Sequence, residues 1–140
     1  MEERPTKLTI VAWFSIIVGL FSVSGSGGYI VVAIMSQDLA LLDIEYRVIL
    51  QFIISLLIMI GGIGVILNKP VSHKILLGSY GVLVVLILIL IGKYAFGSPY
   101  TTGDKLVFIV NFLFMLAPIV FALIVLRSAE TKSYYKSIKL

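Results

Sequence analysis

His73 is the only histidine in 140 residues, and the chain has no cysteine. A lone imidazole can sense pH or carry a proton. Its neighbourhood, Asn68-Lys69-Pro70-Val71-Ser72-His73-Lys74, offers no Cys, Asp or Glu to work with, so His73 reads as a solvated residue of a short hairpin. The lack of cysteine removes disulfides, thiolate metal sites, haem attachment and thiol nucleophiles. No nucleophile–base set, metal-ligand spacing or phosphate-binding loop occurs, and Gly61-Gly62-Ile63-Gly64 lies inside an apolar run rather than after a strand. The expectation is a non-enzymatic protein with no catalytic, cofactor-binding or metal-binding residues.

The residues around these few polar groups explain the poverty. The chain is 60% hydrophobic and 13% charged, with a mean hydropathy of +1.14. A soluble domain carries about 25% charged residues, so this composition excludes a soluble globule. Four stretches contain no charged residue: 8–37, 48–68, 75–92 and 106–126, of 30, 21, 18 and 21 residues. A helix crossing a hydrocarbon core of about 30 Å needs about 20 apolar residues. The third run reaches that length if Lys74 and Lys93 snorkel. Leu83-Val84-Val85-Leu86-Ile87-Leu88-Ile89-Leu90-Ile91 lacks the alternation of a barrel strand. These features predict an all-α, polytopic membrane protein, a single domain over 1–140 with four transmembrane helices in an up-down bundle. The spans fall at about 8–35, 46–68, 74–96 and 104–127, followed by a basic tail over 128–140.

Two features of the first stretch stand out. It is longer than one crossing needs, and Ser24-Gly25-Ser26-Gly27-Gly28 offers a place to bend or stop. A cleaved signal peptide is the competing reading, with 10–21 as its apolar region and Ser22-Val23-Ser24 as its cleavage site. The leader Glu2-Glu3-Arg4-Pro5-Thr6-Lys7 has no net side-chain charge and apolar residues resume after Gly28, which argues against cleavage. Asp104 is placed to cap the fourth helix.

Orientation follows from Lys and Arg. The N-terminal segment, the 68–74 hairpin and the tail hold eight of them, and the two other loops hold three. Both termini are therefore expected in the cytoplasm. The formal charge of +4 is a topology signal, since no folded basic face exists to present it to nucleic acid. The basic tail with its paired tyrosines can lie on an anionic leaflet; the simpler alternative is a topology anchor with a frayed end.

Uncharged residues carry the remaining information. Ala12, Ser15, Gly19, Ser22 and Ser26 recur at spacings of 3, 4, 3 and 4, a small-residue seam along one helix face. It can pack within the chain or between copies. Asn111, Met115, Pro118 and Ala122 share a face of the fourth helix, and Pro118 leaves the Phe114 carbonyl without its helical donor. Ser22, Ser24, Ser26, Gln51 and Asn111 all belong to the half of the bundle farther from the termini. They form a candidate outward-facing polar pocket, against the simpler reading of isolated interhelical hydrogen bonds.

Arg4-Pro5-Thr6-Lys7-Leu8-Thr9-Ile10 and the ending Leu126-Arg127-Ser128-Ala129-Glu130-Thr131-Lys132-Ser133-Tyr134-Tyr135 resemble the ends of small uncharacterised four-helix bacterial membrane proteins. The resemblance implies a bacterial cytoplasmic membrane and no known activity. The expected role is a helper or interaction subunit partnered by the lipid bilayer and by another copy or another membrane protein. A small oligomeric channel or carrier for a neutral or weakly polar solute is the alternative, and an immunity-type protein a third. No cofactor or nucleic acid is expected.

Overall fold

The computed structural model describes residues 3–36, 46–97 and 101–138. It contains α1 (Thr6–Ser36), α2 (Tyr46–Ile66), α3 (Pro70–Phe96), α4 (Thr102–Arg127) and α5 (Ala129–Ile138). The four long helices are apolar and long enough to cross a membrane, and no strand occurs among the described residues. In lipid the backbone must satisfy its own hydrogen bonds, which holds even β-branched runs in helices. The chain is an all-α, four-span membrane bundle in which α1 packs on α2, α2 on α3 and α3 on α4.

The seam on α1 lies against α2. Ala12, Ser15, Gly19 and Ser26 are buried, and Ser22 is half-buried. A Cβ on Gly19 would sit 2.9 Å from the Met59 backbone nitrogen, and one on Gly62 would sit 2.8 Å from the Ala12 carbonyl oxygen. Glycine permits this backbone approach, from which dispersion contacts follow. One on Gly61 would fall 2.7 Å from Leu76 Cγ, so the same run of α2 also admits α3.

α1 runs unbroken through Ser24-Gly25-Ser26-Gly27-Gly28 for 31 residues. Isolated glycines weaken a helix, but in lipid an open turn has no water for its backbone groups. The α2–α3 connection is tighter than the 68–74 hairpin expected. Asn68 takes the left-handed conformation (φ 58°), its N–H bonds the Val65 carbonyl at 3.1 Å, and the Lys69 N–H bonds the Gly64 carbonyl at 2.8 Å. This pattern ends α2, and Pro70 opens α3 about one turn earlier than the expected 74. At α4, Thr101 rather than Asp104 is the cap: its Oγ1 accepts the Asp104 N–H at 3.3 Å and donates to the Asp104 carboxylate at 2.6 Å. Threonine takes the cap because its backbone stays extended, while Asp104 lies inside the first turn.

The tail corrects the expectation of a frayed end. Ser128 ends α4, and its hydroxyl oxygen accepts the Thr131 N–H at 3.2 Å to start α5. Thr131, Tyr134 and Tyr135 are buried, while Lys132 and Lys136 stay exposed. The short amphipathic helix therefore folds back onto the end of the bundle that carries residues 3–5 and the α2–α3 turn, called here the terminal end. The opposite one is the loop end.

Candidate functional site

The polar residues divide into satisfied pairs and unpartnered groups. Ser15 donates to the Val11 carbonyl at 2.7 Å, so the Tyr80 hydroxyl, 2.6 Å away, donates to Ser15. This ties α1 to α3 across the α2 contact. Nearer the loop end, Ser22 and Ser55 share a 2.6 Å hydroxyl bond, the Gln51 amide reaches Ser22 at 3.4 Å, and Ser26 donates to the Ser22 carbonyl at 2.6 Å. Ser22, Ser26 and Gln51 are thus brought together between α1 and α2. Ser24 and Asn111 are not: both are exposed. Neither of their side chains has a hydrogen-bond partner among the described residues.

The reason lies in how α1 and α4 meet. Their contact is short. An apolar cavity of about 90 Å³ lies between them, lined by Ile10, Val11, Phe14, Pro118, Phe121 and Ala122. At about 100° per residue, Asn111, Met115, Pro118, Ala122 and Val125 fall within about 40° of one line. Ala122 and Val125 are buried, Pro118 is half-buried, and Met115 and Asn111 are exposed. One helix face thus passes from core to open surface.

The matching line on α1 does the same. Ile10 and Phe14 face α4, and the line continues through Ile17 and Phe21 to Ser24 and Gly28, which are exposed. A Cβ on Gly28 or its neighbour Gly25 would meet nothing within 4 Å. α1 and α4 thus bound a groove that closes near Phe14 and Pro118 and opens towards the loop end.

Asn111 lies nine residues into α4, about 13–14 Å at about 1.5 Å per residue. A 26-residue helix exceeds a core of about 30 Å by about 9 Å, which puts this amide about 9 Å inside the hydrocarbon. One turn on, the Phe114 carbonyl also lacks a helical donor because Pro118 has no N–H. The groove therefore presents an apolar wall with a side-chain amide and a backbone acceptor.

The terminal end is organised differently. The Arg4 guanidinium donates to the Val65 and Ile66 carbonyls at 3.1 and 3.0 Å, and through Nε to Thr9 at 3.0 Å. Those carbonyls lie at the α2 C-terminus, where a cation is favoured, and the Val65 oxygen also accepts the Asn68 N–H. His73 lies in the first turn of α3 rather than in a solvated loop. Its Nε2 donates to the Leu126 carbonyl at 2.7 Å, and its ring lies 5.1 Å from that of Tyr135. Tyr134 donates to Asn68 Oδ1 at 2.6 Å. The Tyr135 hydroxyl is buried without a partner. Burial, and then the neighbouring Tyr134, push its pKa up to about 12 against the opposing pull of Arg4.

An open dish of about 370 Å³ on this end is lined by Glu3, Pro5, Glu130, Ser133 and Tyr134. Among the described residues no three His, Cys, Asp or Glu side chains gather as metal ligands. Tyr80 and Ser55 were not singled out in the sequence, and Arg4 and Tyr134 entered only through the basic count and the terminal motifs. The pairs Ser15–Tyr80 and Ser22–Ser55 had no local signal, whereas Arg4 was visible as a cation next to Pro5 at a helix start. This chain matches no protein-family model, no curated protein and no solved structure.

Proposed function

We propose that this protein is a non-enzymatic interaction subunit that binds a transmembrane helix laterally, in the groove between α1 and α4. The observation that carries the reading is Asn111, an exposed amide inside an apolar helix face with no partner among the described residues. Polar side chains in hydrocarbon are costly alone and glue helices together when paired. The Ser24-x-x-x-Gly28 spacing across the groove fits the small-residue seats that allow helix backbones to approach. A solute channel is less well supported, because two of the three serines expected to line it, Ser22 and Ser26, spend their hydroxyls on Ser55 and on the backbone.

The membrane is proposed to be a bacterial cytoplasmic one, with both termini inside. Support comes from the eight-to-three bias of basic residues and, for the source, from the terminal resemblance. Reporter fusions after Leu140 and between 68 and 70 are expected to read cytoplasmic, and one between 97 and 103 external.

The lateral reading is tested by a photoreactive phenylalanine analogue in place of Met115, illuminated in native membranes. A covalent protein adduct is expected there. None is expected from the same probe at Ile89, which is 60% exposed on α3. A Met115 probe that yields no protein adduct overturns the reading.

A further inference from the structure

We infer that the helix seated in the groove is α4 of a second copy of this chain, the two grooves facing each other about a two-fold axis along the membrane normal. The inference rests on the lateral reading above and names its partner. Three observations lead to it.

The first is the chemistry of Asn111. An amide carries donors and an acceptor together. In an isologous pair each residue near the axis meets its own counterpart at the same depth, so Asn111 finds a complementary amide without any further polar residue. A different partner would need its own polar group about 9 Å inside the hydrocarbon.

The second is the shape of the seat. Gly25 and Gly28 have nothing within 4 Å of where a Cβ would stand, and Ser24 is exposed beside them. α1 and α4 run antiparallel, and the contact of Val11 and Phe14 with Phe121 and Pro118 sets Gly25 level with Val107, which lies on the Asn111 line and is 59% exposed. A small seat on α1 and a branched side chain at the same depth on α4 are complementary when one groove receives the other's α4.

The third is the contrast with the α1 seam. Gly19 and Ser15 are already occupied by α2, so the second set of small residues is the one left for another molecule.

The test uses the natural lack of cysteine. Met115→Cys, oxidised in the intact membrane, is expected to give a disulfide-linked dimer, and Ile89→Cys to stay monomeric. Adding Asn111→Leu to Met115→Cys is expected to lower the association constant about tenfold, the scale of 1–2 kcal/mol for an interhelical polar contact. Asn111→Gln is expected to keep most of it. A Cβ on Gly28 meets nothing within 4 Å in the monomer, so Gly28→Leu is expected to fill the seat and weaken the dimer while leaving the monomer's thermal unfolding in place.

A Met115→Cys protein that stays monomeric, although its thiol reacts with a membrane-permeant maleimide, overturns the proposal. So does a dimer indifferent to Asn111→Leu. The Met115 photoadduct separates the two levels. Twice the chain mass supports self-association, another mass overturns it while leaving the lateral reading intact, and no adduct removes both.

Discussion

The terminal and loop ends of this bundle are built on different principles. At the terminal end Leu8, Val11, Ala12, Val65, Leu76 and Leu126 are at most 1% exposed. The same end is crossed by hydrogen bonds from Arg4, His73 and Tyr134. At the loop end α4 has no buried residue before Ile119, and α1 contributes only Ser26 and Ala33 beyond Gly19. Lipid tails are as apolar as leucine, so burial alone gives two transmembrane helices little reason to associate. Helices close where small residues and polar pairs join them, as between α1 and α2. Where these are lacking, α1 and α4 separate, and the surface left open is the one that carries an unpaired amide.

The widest separation between the two ends is expected from glycine substitutions. Gly62→Val pushes a branched side chain into the Ala12 carbonyl and Ser15, and overpacking against backbone is expected to cost about 3 kcal/mol or more. Gly92→Ala, towards the loop end of α3, meets nothing within 4 Å and is expected to be neutral or to gain up to about 1 kcal/mol of helix propensity. Thermal unfolding in mild detergent measures both. Equal behaviour would abolish the distinction.

Sequence reading carried far at the level of spans and stopped where elements meet. Charge gaps and run lengths define four helices because the hydrocarbon thickness imposes length directly. The spacing of Ala12, Ser15, Gly19, Ser22 and Ser26 defines a face because helical periodicity is local. Which helix covers that face is not local: nothing near Gly19 in the chain names Met59. The proposed pocket illustrates the limit. Equal depth made Ser22, Gln51 and Asn111 look like neighbours, but depth fixes one coordinate only. Gln51 and Ser22 meet across α1 and α2, while Asn111 lies on the other side of α1. The tail misled for a related reason. Its Tyr134-Tyr135 pair between lysines has the composition of a surface-seeking segment, and only the fold-back at Ser128 turns both rings inward.

The next effect in size is expected at the two helix ends that side chains close. Arg4→Ala leaves the Val65 and Ile66 carbonyls without their cation, a loss of about 1.5–3 kcal/mol for charge-assisted bonds. Thr101→Ala removes the α4 cap and is expected to cost about 1 kcal/mol. Hydrogen exchange should report the first as opening across the terminal ends of α1 and α2, and the second as fraying confined to the first turn of α4. If Thr101→Ala loosened the whole bundle, the loop end would be as cooperative as the terminal one.

The smallest effect, and the most specific, concerns the one buried side-chain polar group left without a partner among the described residues, the Tyr135 hydroxyl. An unsatisfied hydroxyl contributes desolvation cost and no bond, so Tyr135→Phe is expected to be neutral or slightly stabilising, within about 1 kcal/mol. Its signature lies in the pH dependence. Burial, then Tyr134, raise the hydroxyl from 10.0 to about 12, so the docked tail holds the phenolic proton more tightly than an undocked one does. The docking contribution is intact below pH about 10 and falls as the pH climbs through about 12. Amide exchange within 129–138, followed across that window, should show α5 releasing in the wild type. The step should shrink in Tyr135→Phe, while α1 and α2 stay protected in both. If the substitution instead weakens docking at neutral pH, the hydroxyl has a partner. Tyr135 would then hold α5 by a polar contact, like Tyr134, rather than through the packing of its ring against His73.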